Sequence, residues 1–558
     1  MDANDTTAAT QADAFAGALY DAGVREIFTL CGNHLLDAYR ALVDRGITLI
    51  GVRSEGAAIT AADGYARATK RLGVALVTGG PGHTNALTGL AGADAAGTPV
   101  LLLSGAPPAG RAGAGAHQEL DQVTPMRSVC KWAAQVDRAE ALVPLLRAAI
   151  AAATSMAAGP AHLSVPVNFF AGPAAAGQDE HRDGADGLAP VTGRANGPVM
   201  DTDWLRGRLD GAARPVAVVG AGAYFEDAEA AIAEFCRNNA IPVFTMDCAR
   251  GAIPDDNELC FGYPDEPMNP VAAALGKADL VLLFGHRVDF RFGFGTVFDP
   301  SATIVEVSHD PRQLGVVDER TVSVPGPVGK VLVQLGGKPR RFAPWLATVQ
   351  ATVRADDDAG QIPDDATAPF DPGAVARVIR SAATTEVSVA MDAGDFVQWC
   401  RALFIPHGSG QWLRTGRMST CGSGLPLALG GAVGRRAPVI AITGDGSLGY
   451  HVAELETIAR LNLPVLCIVG TNQAWGLELN LQNSMFGPAY GEVSRLGDVD
   501  YAAIAAGFGV ASSRVSSLSE LAEQVDGFCR DPRPMLIDVP VTLEPSPLTK
   551  SIIANGGI

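Results

Sequence analysis

Val439-Ile440-Ala441-Ile442-Thr443-Gly444-Asp445-Gly446-Ser447, with Asn472 standing 27 positions beyond Asp445, is the stretch that decides how this chain reads. The apolar run before Gly444 predicts a buried strand, and Leu463-Pro464-Val465-Leu466-Cys467-Ile468-Val469-Gly470 predicts the next one. Between them Tyr450 to Arg460 reads as a helix. A strand–helix–strand unit brings Asp445 and the segment Thr471-Asn472-Gln473-Ala474-Trp475-Gly476 to the same sheet edge. One carboxylate and one amide at that edge describe a site for a divalent cation that grips a diphosphate. Mg²⁺ takes oxygen ligands and few carboxylates, leaving room for phosphate oxygens and water. Gly444 and Gly446 carry no Cβ, so the backbone can approach the phosphates, and the helix expected from Tyr450 would turn its N-terminus to the anion.

Composition narrows the class. The 558 residues are 47% hydrophobic and 18% charged, with a net charge of −18. That is enough chain for about three to four ordinary domains. The negative charge argues against nucleic acid or an anionic membrane as principal partner, though it leaves an anionic small molecule open. Nine scattered cysteines contain no Cys-x-x-Cys pair, so neither a zinc site nor a disulfide framework is expected. The start, Met1 to Asp5, is polar and acidic, and no apolar run approaches the ~20 residues of a membrane span. A soluble, cytoplasmic protein is the expectation.

Two polar stretches punctuated by Gly and Pro, 171–198 and 337–372, read as connectors; they include Gln178 to Gly184, Ala355 to Gly360 and Asp364-Asp365. They divide the chain into domains at 1–175, 199–337 and 373–542, with a tail at 543–558 that could close as a lid. Short apolar strands alternate with helical patterns in each, for example Val74 to Thr78, Leu280 to Phe284 and Val439 to Ile442. Three consecutive α/β domains with parallel sheets follow.

In the first domain, Glu55 stands at the mouth of a helix rich in small residues. Gly80-Pro81-Gly82-His83-Thr84-Asn85 makes a tight turn into another helix, and Gln118-Glu119-Leu120-Asp121 lies further on. With Gly-Asp-Gly and its distant Asn, these motifs resemble the thiamine-diphosphate enzymes of the acetolactate synthase, benzaldehyde lyase and 2-hydroxyacyl-CoA lyase superfamily. The likeness runs from about residue 12 to 545 in the order pyrimidine-binding, central, diphosphate-binding.

The resemblance implies that Glu55 hydrogen-bonds the aminopyrimidine of thiamine diphosphate and favours the tautomer that ionises the thiazolium. It implies a Mg²⁺ set of Asp445, Asn472 and Ala474. The cofactor would further meet Gly82, Asn85, Gly394, Asp395, Phe396, Ser419, Cys421, Gly444, Gly446, Ser447, Trp475, Gly476 and Leu477. Cys421 stands where relatives usually carry a Met that supports the bent cofactor, and Thr471 replaces a common Asn. Leu477 and Glu478 fall where the family lines its substrate pocket, Glu478 being a second acid/base or a solvated helix charge. In the family, the pyrimidine domain of one subunit faces the diphosphate domain of another. A homodimer or homotetramer is therefore implied.

Three histidines bear on the reaction. His34 falls where benzaldehyde lyase has its own Gly-x-His proton relay. His117 precedes Gln118 at a position held there by glutamine, and by phenylalanine in acetolactate synthases; His83 follows Gly-Pro-Gly. Imidazole suits a proton transfer near neutral pH. Glu55, His34, His117 and Gln118 are the candidate catalytic residues. In the central domain Gly220-Ala221-Gly222-Ala223 is an incomplete dinucleotide fingerprint. Gly285 to Gly295 resembles a stretch of 2-hydroxyacyl-CoA lyases, its Arg287 and Arg291 meeting either a nucleotide phosphate or a domain interface. FAD or ADP there stays open.

The reading is a thiamine-diphosphate and Mg²⁺-dependent lyase or carboligase acting on 2-oxo acids, 2-hydroxy ketones or aldehydes, leaning toward benzaldehyde lyase. Acetolactate synthase and 2-hydroxyacyl-CoA lyase are the alternatives. A cofactor-binding paralogue without catalysis and a nicotinamide oxidoreductase are the rivals from other classes.

Overall fold

Uniformly apolar runs such as Val216-Ala217-Val218-Val219 and Leu466-Cys467-Ile468-Val469 have no polar side to give to water, so they are buried on both faces of parallel sheets. The computed structural model describes residues 9–174, 198–315, 319–336, 338–353 and 367–556. Most of the first expected connector, including Gln178 to Gly184, lies outside the described residues, as do Ala355 to Gly360 and Asp364-Asp365 of the second. The rest of the second is not a plain connector, because Ala343–Val353 is a helix whose Trp345, Leu346 and Val349 are buried in the core of the central sheet. The chain divides into two compact units, 1–66 with 70–191 and 67–69 with 192–558.

The first unit carries β1 (Glu26–Thr29), β2 (Thr48–Gly51), β3 (Gly73–Val77), β4 (Val100–Ala106), β5 (Trp132–Gln135) and β6 (Ala161–Pro166) in the order β2-β1-β3-β4-β6-β5. Every pairing is parallel. The second unit holds two sheets. The central one comprises β7 (Pro215–Val219), β8 (Val243–Thr245), β9 (Leu280–Phe284), β10 (Thr303–Ser308) and β11 (Thr321–Pro325), in the parallel order β11-β10-β9-β7-β8. The last comprises β12 (Ser388–Met391), β13 (Trp412–Arg414), β14 (Val439–Gly444), β15 (Val465–Thr471), β16 (Ala511–Arg514) and β17 (Met535–Pro540), in the parallel order β13-β12-β14-β15-β17-β16. Three parallel-sheet α/β domains are the architecture.

In the last sheet the chain reverses direction beside β12, which has β13 on one side and β14 on the other. Crevices beyond the carboxyl ends of strands at such switch points are where open α/β sheets bind ligands. Register does the rest: Gly444 pairs with Gly470, which sets Asp445 and Asn472 side by side just past the strand ends.

The helix expected over 450–460 starts four residues late, and a separate single turn precedes it. One turn, Asp445–Leu448, follows β14 directly, and the next helix is Glu454–Arg460. Between them Tyr450, His451 and Glu454 donate to Ser447, Leu448 and His451, three residues back rather than four. The Tyr450 Cβ packs where a Cβ on Gly422 would stand, 2.4 Å away, so tertiary contact interrupts the helix. The terminus facing the site is thus that of the single turn at Asp445. No helix among the described residues is long and apolar enough to cross a membrane.

Candidate functional site

In the first unit Glu55 begins the helix Glu55–Thr69, whose Ser54 N-cap accepts from the Ala57 amide at 3.1 Å. Its side chain is buried, and Asn85 Nδ2 donates to Oε2 at 3.1 Å. A Cβ on Gly82 would stand 3.2 Å from Glu55 Oε1 and 2.8 Å from Thr78 Cγ2, so glycine leaves the carboxylate its space. The three residues that the sequence assigned to the pyrimidine end converge here.

His34 lies in the same unit. The Thr78 hydroxyl is 3.3 Å from its Nδ1, and the Gly79 amide donates to that nitrogen at 3.4 Å. Burial, and secondarily His117, lower its pKa and so favour the neutral ring. Thr78 Oγ1 also donates to Gln118 Oε1 at 3.3 Å. Gln118 itself sits at φ 60°, in the left-handed region that costs a non-glycine residue about 1–2 kcal/mol. Its Cβ would be 2.8 Å from a Cβ on Gly80, and Gly80 has φ 58°. His34, Thr78, Gln118 and exposed His117 therefore form one group. His83 belongs elsewhere: its Nδ1 lies 3.0 Å from Ser104 Oγ, His162 Nε2 lies 3.2 Å from the same hydroxyl, and burial pushes His83 down to about 4. It is a packing histidine.

Thr78 and Gln122 were not singled out by the sequence. Gln122 Oε1 accepts from the Gly80 amide at 3.2 Å while its Nε2 donates to Gly105 O and Ser164 Oγ, fastening the Gln118 segment to the Gly80 turn. Thr78 had a signal, since it ends an apolar run immediately before Gly79-Gly80-Pro81. Gln122 had none.

At the last sheet, Asp445 Oδ2 accepts from the amides of Asn472 at 3.0 Å and Gln473 at 2.7 Å, and Oδ1 from Gly446 at 2.8 Å. Burial raises its pKa against those amides. Tyr501 donates to the Asp445 carbonyl at 2.8 Å, a second contact the sequence did not signal. Asn472 Oδ1 and Thr420 Oγ1 are buried without a hydrogen-bond partner. An orphaned acceptor beside a carboxylate is the donor set of a hard cation, and Ala474, buried two residues on, has only its carbonyl oxygen to add. These residues fit Mg²⁺ with a diphosphate.

Asp392, at the end of β12, organises the neighbouring loop. Its carboxylate accepts from Ala393, Gly422 and Gly424 amides and from Thr443 Oγ1, and burial raises it to about 6. Half-buried Cys421 and left-handed Ser419 (φ 46°) are carried on that loop, and Ser447 Oγ donates to Ala393 O. Gly444 has open space at its Cβ position, as a phosphate approach requires. Gly446 does not: a Cβ there would stand 2.8 Å from the Trp475 ring. Gly394, at φ 112°, starts the helix Asp395–Leu403. Phe396 is buried in the core of this sheet, with its ring 2.4 Å from where a Cβ on Gly470 would be. Asp395 faces the tail, with Ser546 N and Thr549 Oγ1 on Oδ1 and Asn480 Nδ2 on Oδ2. Gly476 and half-buried Leu477 open the helix Gly476–Phe486, and Glu478 is exposed.

The central sheet explains its glycines by packing. A Cβ on Gly222 would lie 2.9 Å from Gly285 Cα, and one on Gly220 2.6 Å from His286 Cβ. Arg291 is held by Asp247 at 2.6 Å and Asp289 at 2.6 Å, both buried. Burial works to raise Asp247, but Arg291, His286 and Arg414 outweigh it and keep the carboxyl below its ordinary range. Arg287 donates to Arg312 O.

Family models match along the chain: thiamine pyrophosphate enzyme, N-terminal TPP binding domain, at 9–124; central domain at 203–335; and C-terminal TPP binding domain at 392–539. The chain is similar to 2-hydroxyacyl-CoA lyase 2 of Caenorhabditis elegans, at 32% identity over 83% of this chain and 78% of that protein. It is similar to the acetolactate synthase large subunit IlvG of Mycobacterium tuberculosis, at 31% identity over 83% of this chain and 84% of that one. A solved structure assigned as a thiamin diphosphate-dependent enzyme from Mycobacterium smegmatis shares the fold, with a TM-score of 0.78 at 22% identity over 96% of this chain and 99% of the other.

Proposed function

The chain belongs to the thiamine pyrophosphate enzyme family, and on that footing we propose that it is a lyase or carboligase for 2-hydroxy ketones or 2-hydroxyacyl thioesters. Its chemistry is the cleavage or formation of carbon–carbon bonds. Bound thiamine diphosphate supplies the carbanion that adds to a carbonyl and takes up the electrons of the broken bond. Asp445, Asn472 and the Ala474 carbonyl would hold Mg²⁺, and the loop fixed by Asp392 would bear the diphosphate. Glu55, kept in place by Asn85, hydrogen-bonds the aminopyrimidine.

The observation that carries the lyase reading is buried His34 in one hydrogen-bonded group with Thr78, Gly79 and Gln118. Releasing an aldehyde requires removing a hydroxyl proton, and ligation requires returning one to an alkoxide. Loss of CO₂ by itself requires neither, and a decarboxylating carboligase needs the proton only in its later ligation and release. The Gly79 amide donates to His34 Nδ1, so the neutral ring carries its proton on Nε2, where it would donate a hydrogen bond to the substrate alkoxide oxygen. Gln118 and His117 would orient that oxygen. A decarboxylating carboligase of the acetolactate synthase type is the second reading, favoured by the similarity to IlvG.

The test presents the loaded enzyme with 2-oxo acids, 2-hydroxy ketones and 2-hydroxyacyl-CoA esters and assays released aldehyde against released CO₂. Aldehyde release supports the first reading and CO₂ release the second. Glu55→Gln should abolish either while sparing Mg²⁺-dependent cofactor binding; unchanged turnover would remove Glu55 from the mechanism.

A further inference from the structure

Asp395 lies on the Gly394-Asp395-Phe396 strap that the sequence assigns to the cofactor, yet its carboxylate is fully engaged with protein. Ser546 N donates to Oδ1 at 3.0 Å, Thr549 Oγ1 donates to Oδ1 at 2.7 Å, and Asn480 Nδ2 donates to Oδ2 at 2.9 Å. The side chain is 5% exposed. A carboxylate so placed would repel a diphosphate, whereas three donors around it make a junction.

The junction joins three elements. Asp395 begins the helix Asp395–Leu403; Asn480 belongs to the helix Gly476–Phe486; Ser546 and Thr549 cap and begin the C-terminal helix Pro547–Ala554. Around it the tail is fastened again. Asn480 Nδ2 also donates to Leu543 O, Trp399 Nε1 donates to Glu544 O, and Lys550 pairs with Glu544 while lying 5.5 Å over the Trp399 ring. Ser546 doubles as N-cap, its Oγ accepting from the Thr549 amide. The cation site is next door: a Cβ on Gly476 would stand 3.6 Å from Asp395 Cβ and 3.1 Å from Asn472 Nδ2.

We propose that Asp395 is a positioning residue that clasps the C-terminal helix to the cofactor cradle, so that the tail is a fixed brace of the Asn472 side chain. The clasp holds the start of the Gly476–Phe486 helix, and through Gly476 the Asn472 amide, in the orientation that leaves Oδ1 for the cation. This rests on the cofactor assignment of the cradle and not on any substrate.

The experiment titrates the purified full-length protein with thiamine diphosphate at fixed Mg²⁺ by calorimetry, and in parallel follows trypsin cleavage after Lys550 by mass. No substrate is present, so the outcome is independent of the lyase reading. Asp395→Ala should weaken cofactor binding roughly tenfold and speed cleavage after Lys550. Thr549→Val alters only the tail side of the junction and keeps the test open if Asp395→Ala does not fold. The clasp requires that it too weakens cofactor binding, in smaller measure. Exchanging the pair as Asp395→Asn with Asn480→Asp should recover part of what Asp395→Asn loses, since an amide–carboxylate bond can re-form in reverse. Weakened binding in Asp395→Ala with wild-type protection at Lys550 and an unaffected Thr549→Val would make Asp395 a direct cofactor ligand and overturn the proposal. Unchanged binding in both variants would overturn it equally.

Discussion

Asn472 Oδ1 is buried and unpartnered, although the Asn472 and Gln473 amides beside it are satisfied by Asp445. Such a group costs about 1–3 kcal/mol unless a ligand meets it. Asn472→Ala should therefore leave the thermal midpoint of the cofactor-free protein unchanged or higher. The same substitution should raise the Mg²⁺ concentration needed for half-saturation with cofactor on the order of tenfold or more. A scanning calorimeter and a Mg²⁺ titration read the two effects, and a residue kept for packing alone would lower the midpoint instead. Glu55, Gly82 and Asn85 were legible because turn chemistry and a helix start mark them locally. Thr78, Gln122 and Tyr501 act by hydrogen bonds to backbone or side chains far along the chain, and for Gln122 and Tyr501 nothing in their own neighbourhoods announces that.

Strands were legible almost to the residue: Leu280–Phe284 was read as it stands, and Val465–Thr471 differs by one or two positions at its ends. Doubly buried parallel strands leave a continuous apolar run, which is a strong signal. The helix after Asp445 was misread over 450–460 because the pattern of apolar residues does not reveal that Tyr450 packs against Gly422. Gly470 likewise serves packing between elements. A Cβ on Gly470 would stand 2.4 Å from Phe396 Cδ1, near the end of β15 with both neighbouring strands in place. Gly470→Ala should destabilise the last domain by about 1–3 kcal/mol, as overpacked cores do. Chemical denaturation of the cofactor-free protein measures it, and a neutral result would mean the Phe396 ring turns aside freely.

For the molecule as a whole, the family resemblance implies that Glu55 and Asp445 belong to different subunits of one site. The first unit and the last sheet each carry a self-consistent half of that site. Mixing Glu55→Gln protein with Asp445→Asn protein, each inactive alone, should then restore up to about a quarter of wild-type activity, because half of the random dimers hold one site free of both substitutions. Subunit exchange confirmed by native mass spectrometry without any regained activity would mean that one chain builds its whole site.

By itself the sequence determined the fold class, the order of the domains and the identity of the cofactor. Apolar runs, Gly-Asp-Gly with its distant Asn, and Glu55 ahead of Gly-Pro-Gly are short-range patterns that survive without coordinates. Only the tertiary structure decided that Asp395 turns to the tail, that Gly446 makes room for Trp475, and that Arg291 is held by Asp247 and Asp289. The physical reason is distance along the chain. Asp395 meets Ser546 from 151 residues away and Arg291 meets Asp247 from 44. Which of several donors a buried carboxylate takes is fixed by packing between elements that no local spacing encodes.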